Sequence, residues 1–198
     1  LKILQKRGKF MQEAVPSGDG AMLAVLGMAS KELDEILEMN NKKYECFIAN
    51  DNSNLQVVVS GLKKDINLLS DDLNNKKIKN LKLNVSAPFH CKYMKTASEK
   101  MTSYINDLNM NELEKPIISN VTAKETRSSK EIKLLLISQI EKKVRWLESI
   151  EYMINNGVNN FVEIGPGKVL SGLIKRINKN VDVNSINSEE DIKLLIND

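Results

Sequence analysis

Between Ala21 and Val85 the chain alternates strand-like and helical patterning in the order β-α-β-β-α-β, and few folds accept that order in so short a span. Ala21 to Gly27 is an apolar run of strand length. Ser30 is placed to cap a helix over Lys31 to Met39, with Glu32 and Asp34 in its first turn favouring the helix dipole. Glu45 to Asn50 and the valine-rich Leu55 to Ser60 read as strands joined by the turn Asp51-Asn52-Ser53-Asn54. Gly61 is expected to break the second of these, Leu62 to Leu73 to be helical, and Ile78 to Val85 to be the last strand. Together these about 65 residues form the split βαβ pattern of a ferredoxin-like subdomain.

The flanking segments follow a different rhythm. Leu1 to Glu13 reads as a helix already under way, with no capping residue before it, so the chain is expected to be the C-terminal part of something longer. Pro16-Ser17-Gly18-Asp19-Gly20 closes that helix. After the ferredoxin-like pattern comes a long helix, Lys92 to Leu108, with Met94, Ala97, Met101, Tyr104, Ile105 and Leu108 on one face. A strand over Pro116 to Val121 and helices over Lys130 to Ile140 and Val144 to Asn156 follow. Asn160 to Ile164 reads as a short buried strand and Gly165-Pro166-Gly167 as a tight turn. Lys168 to Ile177 is a helix, Val181 to Ile186 a final strand, and the tail from Ser188 a fraying or short helical end. Alternation of this kind argues for an α/β layer with parallel strands.

Composition removes several classes of function. The 29 basic and 26 acidic residues leave a net charge of +3, too mild for a nucleic-acid surface. No apolar run approaches the ~20 residues of a membrane span, and no secretory pattern opens the chain. Cys46 and Cys91 lie far apart, so neither a disulfide framework nor a zinc site is suggested, and reduced thiols in a cytoplasmic protein are expected. With a single histidine and no cysteine cluster, a transition-metal site is not expected.

That one histidine, His90, carries the functional reading. It lies in Asn84-Val85-Ser86-Ala87-Pro88-Phe89-His90-Cys91, between a strand and a helix. Pro88 disfavours helical geometry at Ala87, so a loop presents the imidazole. Loops held by rigid elements commonly carry chemistry, although most lone histidines merely pack or hydrogen-bond. Arg7 gains a role only if a carboxylate is present to clamp, since guanidinium offers two parallel hydrogen bonds where lysine offers a point charge. Gly165 to Gly167 lacks the G-x-x-x-x-G-K-[ST] context of a phosphate loop and reads as a strand-to-helix turn. Glu163, just before it, is as compatible with a structural role as with a functional one. A histidine base wants a nucleophile, yet no G-x-S-x-G occurs in the 198 residues.

Four segments in order resemble the malonyl-CoA:acyl carrier protein transacylase family of bacterial fatty-acid synthesis. They are Arg7-Gly8-Lys9-Phe10-Met11-Gln12-Glu13-Ala14-Val15-Pro16, then Asn84 to His90 followed by Met94, then Pro116-Ile117-Ile118-Ser119-Asn120-Val121-Thr122-Ala123. The fourth runs from Val144-Arg145-Trp146 through Phe161-Val162-Glu163-Ile164-Gly165-Pro166-Gly167-Lys168-Val169-Leu170. The resemblance implies part of an α/β-hydrolase-like acyltransferase domain with an inserted ferredoxin-like subdomain. Residues 1–17 would be a helix of the large subdomain, 18–84 the insertion, and 85–198 the C-terminal part of the large subdomain. It implies ping-pong acyl transfer: a serine takes malonyl from coenzyme A, and the phosphopantetheine thiol of the acyl carrier protein removes it. His90 would deprotonate the serine and protonate the departing thiol, help typically worth ~10² to 10⁴ in rate. Gln139 would orient the imidazole through its backbone carbonyl, Arg7 would pair with the malonyl carboxylate, and Met11 would line the same pocket. Asn50 and Asn52 would lie near the substrate. The implied partners are acyl carrier protein and a coenzyme A thioester. No cofactor, no metal, no nucleic acid and no membrane are implied, and the protein would be a cytoplasmic monomer. Lys175 and Arg176 are candidate contacts for an acidic partner.

In that family the serine sits in a G-H-S-L-G elbow, together with the oxyanion-hole groups, in a segment that would precede Leu1. The alternative to an enzyme part is a truncated, non-catalytic module that binds acyl carrier protein or coenzyme A. An intact Arg7, His90 and Gln139 set argues against it, because a binding module has no use for a base. An RNA-binding ferredoxin-like domain is disfavoured by 5% aromatic residues and no RNP1 motif. The purified 198-residue chain by itself is expected to show no malonyl transfer to acyl carrier protein in a thioester-exchange assay, and turnover there would contradict the assignment of the nucleophile to an outside segment.

Overall fold

The computed structural model describes residues 1–197, which fall by contact into two units, residues 1–146 and from Leu147 on. The first unit opens with α1 (Lys2–Gln12), then β1 (Gly20–Leu26), α2 (Ser30–Met39), β2 (Cys46–Ser53), β3 (Gln56–Leu62), α3 (Lys63–Asn75) and β4 (Asn80–Lys82). The four strands form one sheet in the order β2-β3-β1-β4, every neighbouring pair antiparallel. The β-α-β-β-α-β order read from the sequence is therefore the order in the structure.

The apolar run of β1 follows from burial on both faces of this sheet. Leu23 and Val25 are fully buried and pair directly with Val59 and Val57 of β3. That face packs under Leu33, Ile36 and Leu37 of α2 and Ile66, Leu69 and Leu73 of α3. Burying such side chains is worth roughly 1.5–3 kcal/mol each. The other face carries Met22, Ala24, Ala49 and Val58, against which Leu83 and Phe89 pack. A strand covered on both sides loses the alternation that marks a half-exposed one.

A 3-10 turn, Lys92–Met94, leads into α4 (Lys95–Asn106), followed by a two-residue hairpin of β5 (Ile117–Ile118) and β6 (Glu125–Thr126), and then α5 (Ser129–Ser138). Helices α1 and α4 pack through Met11, Met94, Ala97, Met101 and Ile105, with Ile140 buried among them. The ring of Phe10 stands 5.7 Å from that of Tyr104, and the Lys6 ammonium lies 4.2 Å from the Tyr104 ring centroid. Phe89 touches both this cluster and the sheet, so the residue before His90 is wedged between two cores.

The second unit holds α6 (Trp146–Asn155, beginning at the boundary), β7 (Asn160–Ile164), α7 (Val169–Ile177), β8 (Asp182–Ile186) and α8 (Glu189–Asn197). Its two strands pair in parallel across α7, as alternation suggested.

Several boundaries differ from the sequence reading for local reasons. Ser30 is the first helical residue and not the cap; Ala29 takes the cap position, and the Glu32 carboxylate reaches back to its N–H at 3.4 Å. The turn expected over residues 51–54 is shorter, because β2 continues to Ser53 through two register irregularities against β3. Gly61 stays within β3, paired with both Ala21 and Cys46. The long helix starts as a 3-10 turn, and the hairpin strand β6 had no apolar alternation to reveal it. In β7 only Phe161 is buried, while Ile164 is 80% exposed, so the strand expected to be buried is covered along one line only.

One contact sets the position of the loop before His90. At Gly20 a Cβ atom would lie 2.2 Å from Pro88 Cδ and 2.8 Å from Ala87 Cα. Only glycine lets the start of β1 meet this loop. Gly20→Ala is expected to destabilise the chain by about 1–3 kcal/mol through forced displacement of residues 87–88, measurable by urea denaturation.

Candidate functional site

His90 adopts φ +60°, in the left-handed region that few residues other than glycine, asparagine, aspartate and histidine occupy. Its neighbours impose that geometry. Ala87 is fully buried, and the Phe89 N–H donates to the Ala87 carbonyl at 3.1 Å. The Cys91 thiol donates to the Pro88 carbonyl at 3.1 Å, and Cys91 begins the 3-10 turn that continues into α4. Gln12 at the end of α1 donates to Ser86 Oγ at 2.6 Å, tying α1 to the same loop. The imidazole is therefore held by rigid elements on both sides.

Its ring is oriented by a main-chain group. His90 Nδ1 lies 2.8 Å from the backbone oxygen of Gln139, which caps the C-terminus of α5. A carbonyl can only accept, so Nδ1 carries the proton and Nε2 keeps its lone pair. Burial lowers the His90 pKa from its ordinary value; the Arg7 guanidinium lowers it further, and the hydrogen bonds to the Gln139 and Lys142 backbones partly oppose both. A histidine tuned this way is neutral near pH 7 and able to take a proton at Nε2.

Arg7 projects from α1 close enough to act on that imidazole. Burial also lowers its own pKa, but a guanidinium remains charged in proteins. Among the described residues no carboxylate pairs with it and no hydrogen bond satisfies it. A half-buried cation with no partner among those residues has the chemistry to accept an anion. Met11, one turn further along α1, is 3% exposed and packs with Met94, Met101 and Ile140.

His90 opens onto a cleft of about 390 Å³ lined also by Cys46, Cys91, Lys92, Glu141 and Lys142. The two thiols are not nucleophiles in waiting. Burial, reinforced by Asp65, pushes Cys46 up to about 12, and burial raises Cys91 as well, so both stay protonated. One rim of the cleft is braced by Glu45, which accepts from Lys92 Nζ at 2.5 Å and from the Tyr93 hydroxyl at 2.6 Å. Sequence reasoning did not single out Glu45, Tyr93 or the cleft residue Glu141, and their long-range pairings leave no local signal.

Asn50 and Asn52 stand half-buried on β2, the edge strand of the sheet. Val144 bridges to that edge: the Asp51 N–H donates to the Val144 carbonyl at 2.9 Å, and the Val144 N–H donates to the Ala49 carbonyl at 2.8 Å. The segment bearing Gln139 is thereby anchored just beyond it. In the second unit, Glu163 accepts from the Leu170 N–H at 3.1 Å and from the Ser171 N–H at 2.7 Å. It also accepts from the Ser171 hydroxyl at 2.6 Å, and these bonds lower its pKa, so it caps α7 from β7. Gly165 and Gly167, at φ +142° and +92°, make the turn between those two elements. Lys175 Nζ donates to the Val181 carbonyl at 2.6 Å.

A base with a fixed tautomer beside an unsatisfied guanidinium suits acyl transfer to or from an anionic acyl group. Comparison with known proteins bears on this directly. A family described as acyl transferase domain matches residues 1–193. The chain belongs to the acyl transferase domain family. It is 40% identical over 195 residues to the malonyl CoA-acyl carrier protein transacylase of Bacillus subtilis, covering 98% of this chain and 62% of that protein. A crystal structure of the protein so named from Clostridium perfringens superposes with a TM-score of 0.93 at 40% identity, covering 99% of this chain and 62% of that one. A second structure is described as a type II PKS acyl-carrier protein in complex with its malonyl-transacylase; it gives a TM-score of 0.92 at 33% identity, over 100% of this chain and 64% of that one. The chain thus spans about three fifths of the length of these acyl transferases. No helix of the described residues is long and apolar enough to cross a membrane, and those residues hold no cluster of three or more metal-ligating side chains.

The electrostatics of His90 give a measurable consequence. Because the folded imidazole binds its proton at lower pH than an unfolded one, the unfolded chain takes up more protons as pH falls through 6.5. Stability contributed by neutral His90 is fully present above that pH and is lost as pH falls from it toward the folded midpoint. NMR of the single imidazole is expected to titrate below 6.5 with Nδ1 protonated in the neutral form, and urea midpoints to fall with pH over the same window.

Proposed function

We propose that these residues form the base- and carboxylate-binding part of a malonyl-CoA:acyl carrier protein transacylase. Malonyl would pass from coenzyme A to a serine, and from that ester to the phosphopantetheine thiol of the acyl carrier protein. The reading needs no cofactor; malonyl-CoA is the substrate. The observation that carries it is the unpartnered Arg7 guanidinium beside an imidazole whose tautomer is fixed by Gln139.

The chemistry follows from those groups. Nε2 of His90 takes the serine proton as the hydroxyl attacks the thioester carbonyl, and returns it to the sulfur of departing coenzyme A. In the second half the same nitrogen takes the proton of the carrier thiol and gives it back to the serine. A carbonyl in place of an aspartate suffices behind the histidine, since its task is to hold orientation and tautomer. Arg7 pairs with the free malonyl carboxylate; acetyl offers no such anion and leaves the guanidinium unsatisfied. Met11 would floor the acyl pocket, and Asn50 and Asn52 would border it. With no G-x-S-x-G among the 198 residues, the nucleophile is supplied by polypeptide outside them.

The names of the relatives support this reading, as does a neighbour described as a complex with an acyl-carrier protein. We further read the fold as an α/β-hydrolase-like domain with a ferredoxin-like insertion over residues 18–84, flanked by 1–17 and 85–198 of the larger subdomain. The strand order β2-β3-β1-β4 supports the insertion. On this reading the protein is a cytoplasmic monomer.

In a protein carrying these residues together with a serine elbow, Arg7→Ala is expected to lower the ratio of malonyl to acetyl transfer by about 10- to 100-fold, the scale of a lost charge-assisted hydrogen bond. Competition between the two coenzyme A thioesters measures it, and an unchanged ratio would remove the carboxylate role.

A further inference from the structure

The hydrogen bond between His90 and Gln139 has a second bond running parallel to it. Glu141 lies just past Gln139, and Ser98 lies on α4, the helix that the His90 loop enters through its 3-10 turn. Ser98 is 5% exposed, and its hydroxyl donates to Glu141 Oε1. The Lys95 carbonyl, at 2.9 Å, is the other acceptor within reach, but a hydroxyl has one proton and a carboxylate makes the stronger bond. A buried hydroxyl bonded to a carboxylate on the rim of the histidine cleft ties the turn after α5 to α4, the helix that follows the His90 loop.

The segment between them is short and stiff. The Gln139 N–H donates to the Leu135 carbonyl at 2.8 Å, the Glu141 N–H to Ser138 at 3.1 Å and the Lys142 N–H to Ser138 at 2.9 Å. The side chain of Gln139 closes the turn by donating to the Lys142 carbonyl at 3.0 Å. Ile140 is fully buried against Met94 and Met101. Seating the turn on α4 through Ile140 alone would leave it free to rock about an apolar contact, because dispersion is non-directional. A directional bond at Glu141 removes that freedom, and the Gln139 carbonyl moves with it.

We propose that Ser98 and Glu141 are positioning residues, whose hydrogen bond locks the turn over residues 139–142 to α4 and so aims the Gln139 carbonyl at His90 Nδ1. Neither touches the imidazole. Their effect is transmitted through the backbone of the turn, as outer partners of a metal-ligating histidine act through the group that holds the ring. The catalytic consequence rests on the transacylase reading, whereas the effect on the ring does not.

One histidine makes the test direct. The 198-residue chain is labelled with ¹⁵N, and the long-range imidazole correlations report which ring nitrogen holds the proton. The native chain is expected to show Nδ1 protonated. Glu141→Ala is expected to lose that preference and give a mixture of tautomers, and Glu141→Gln, which keeps an acceptor oxygen, to restore it. Should Glu141→Ala fail to fold, Ser98→Ala reads the same bond from the other side and Ser98→Thr supplies the rescue. A folded alanine variant with the native tautomer, even one of lowered melting temperature, overturns the proposal, because support of the fold alone would leave the ring unchanged. Where the domain transfers acyl groups together with its elbow, the same alanine variants are expected to lower kcat by about 10-fold with KM unmoved, a fraction of what a positioned base supplies. Failure of malonyl transfer in the native protein would count against the transacylase reading and leave the ring measurement standing.

Discussion

A single hydrogen bond of 2.8 Å, from His90 Nδ1 to the carbonyl of Gln139, gives the rest of the structure its purpose. One face of the sheet, α1 and α4 bear on one end of it, and α5 carries the other. The sheet and the α1–α4 pair grip Phe89 from two sides, and the residue after it is forced to φ +60°. The other end is a helix terminus, where carbonyls lack intrahelical donors. The C-terminal carbonyl of α5 thus serves as the orienting acceptor without a buried carboxylate. An aspartate there would bring a charge needing its own compensation at several kcal/mol of desolvation. A helix end brings the same acceptor already in place.

Arg7 limits what the imidazole can become. A positive charge nearby and burial both disfavour the imidazolium, while two backbone acceptors favour it, and the net shift is downward. A base that is charged at rest cannot accept a proton; burial above all, with Arg7 adding to it, favours the neutral ring. An anion bound by Arg7 would cancel much of that repulsion and make His90 easier to protonate. Substrate binding and proton acceptance would then be coupled through one electrostatic term, with the base strongest when the acyl group is in place.

Much of this was legible before any coordinates. The order of strands and helices along the first sheet's segment, the helix carrying Arg7, the loop carrying His90 and the glycine turn before α7 all left periodicity or turn chemistry in the sequence. Contacts across long separations were not legible. In the sequence Ser98 is one polar residue within a helix and Glu141 one acidic residue beside Lys142 and Lys143, with nothing local to pair them. Only the packing of Ile140 against α4 brings them together. The length of β2 was misjudged because Asp51, Asn52 and Ser53 are turn-forming types; bridging to Val144 and pairing with β3 overrode that preference. Arg7 and Gln139 were assigned through a resemblance, since nothing in local pattern distinguishes a pairing arginine from a solvated one.

The choice of arginine at position 7 carries its own argument. A lysine ammonium in the same half-buried place could shed its proton when no anion is bound, because burial lowers the pKa of a lysine into an accessible range. The empty site would then be neutral, and it would tolerate an uncharged acyl group at little cost. A guanidinium has no such escape. It stays charged while the site is empty, and an acyl group without a carboxylate leaves it desolvated and unpaired. On the proposed reading, discrimination would come less from attraction to a carboxylate-bearing acyl group than from the standing cost of one without it. The absence of any carboxylate partner for Arg7 among the described residues means that none of them relieves that cost.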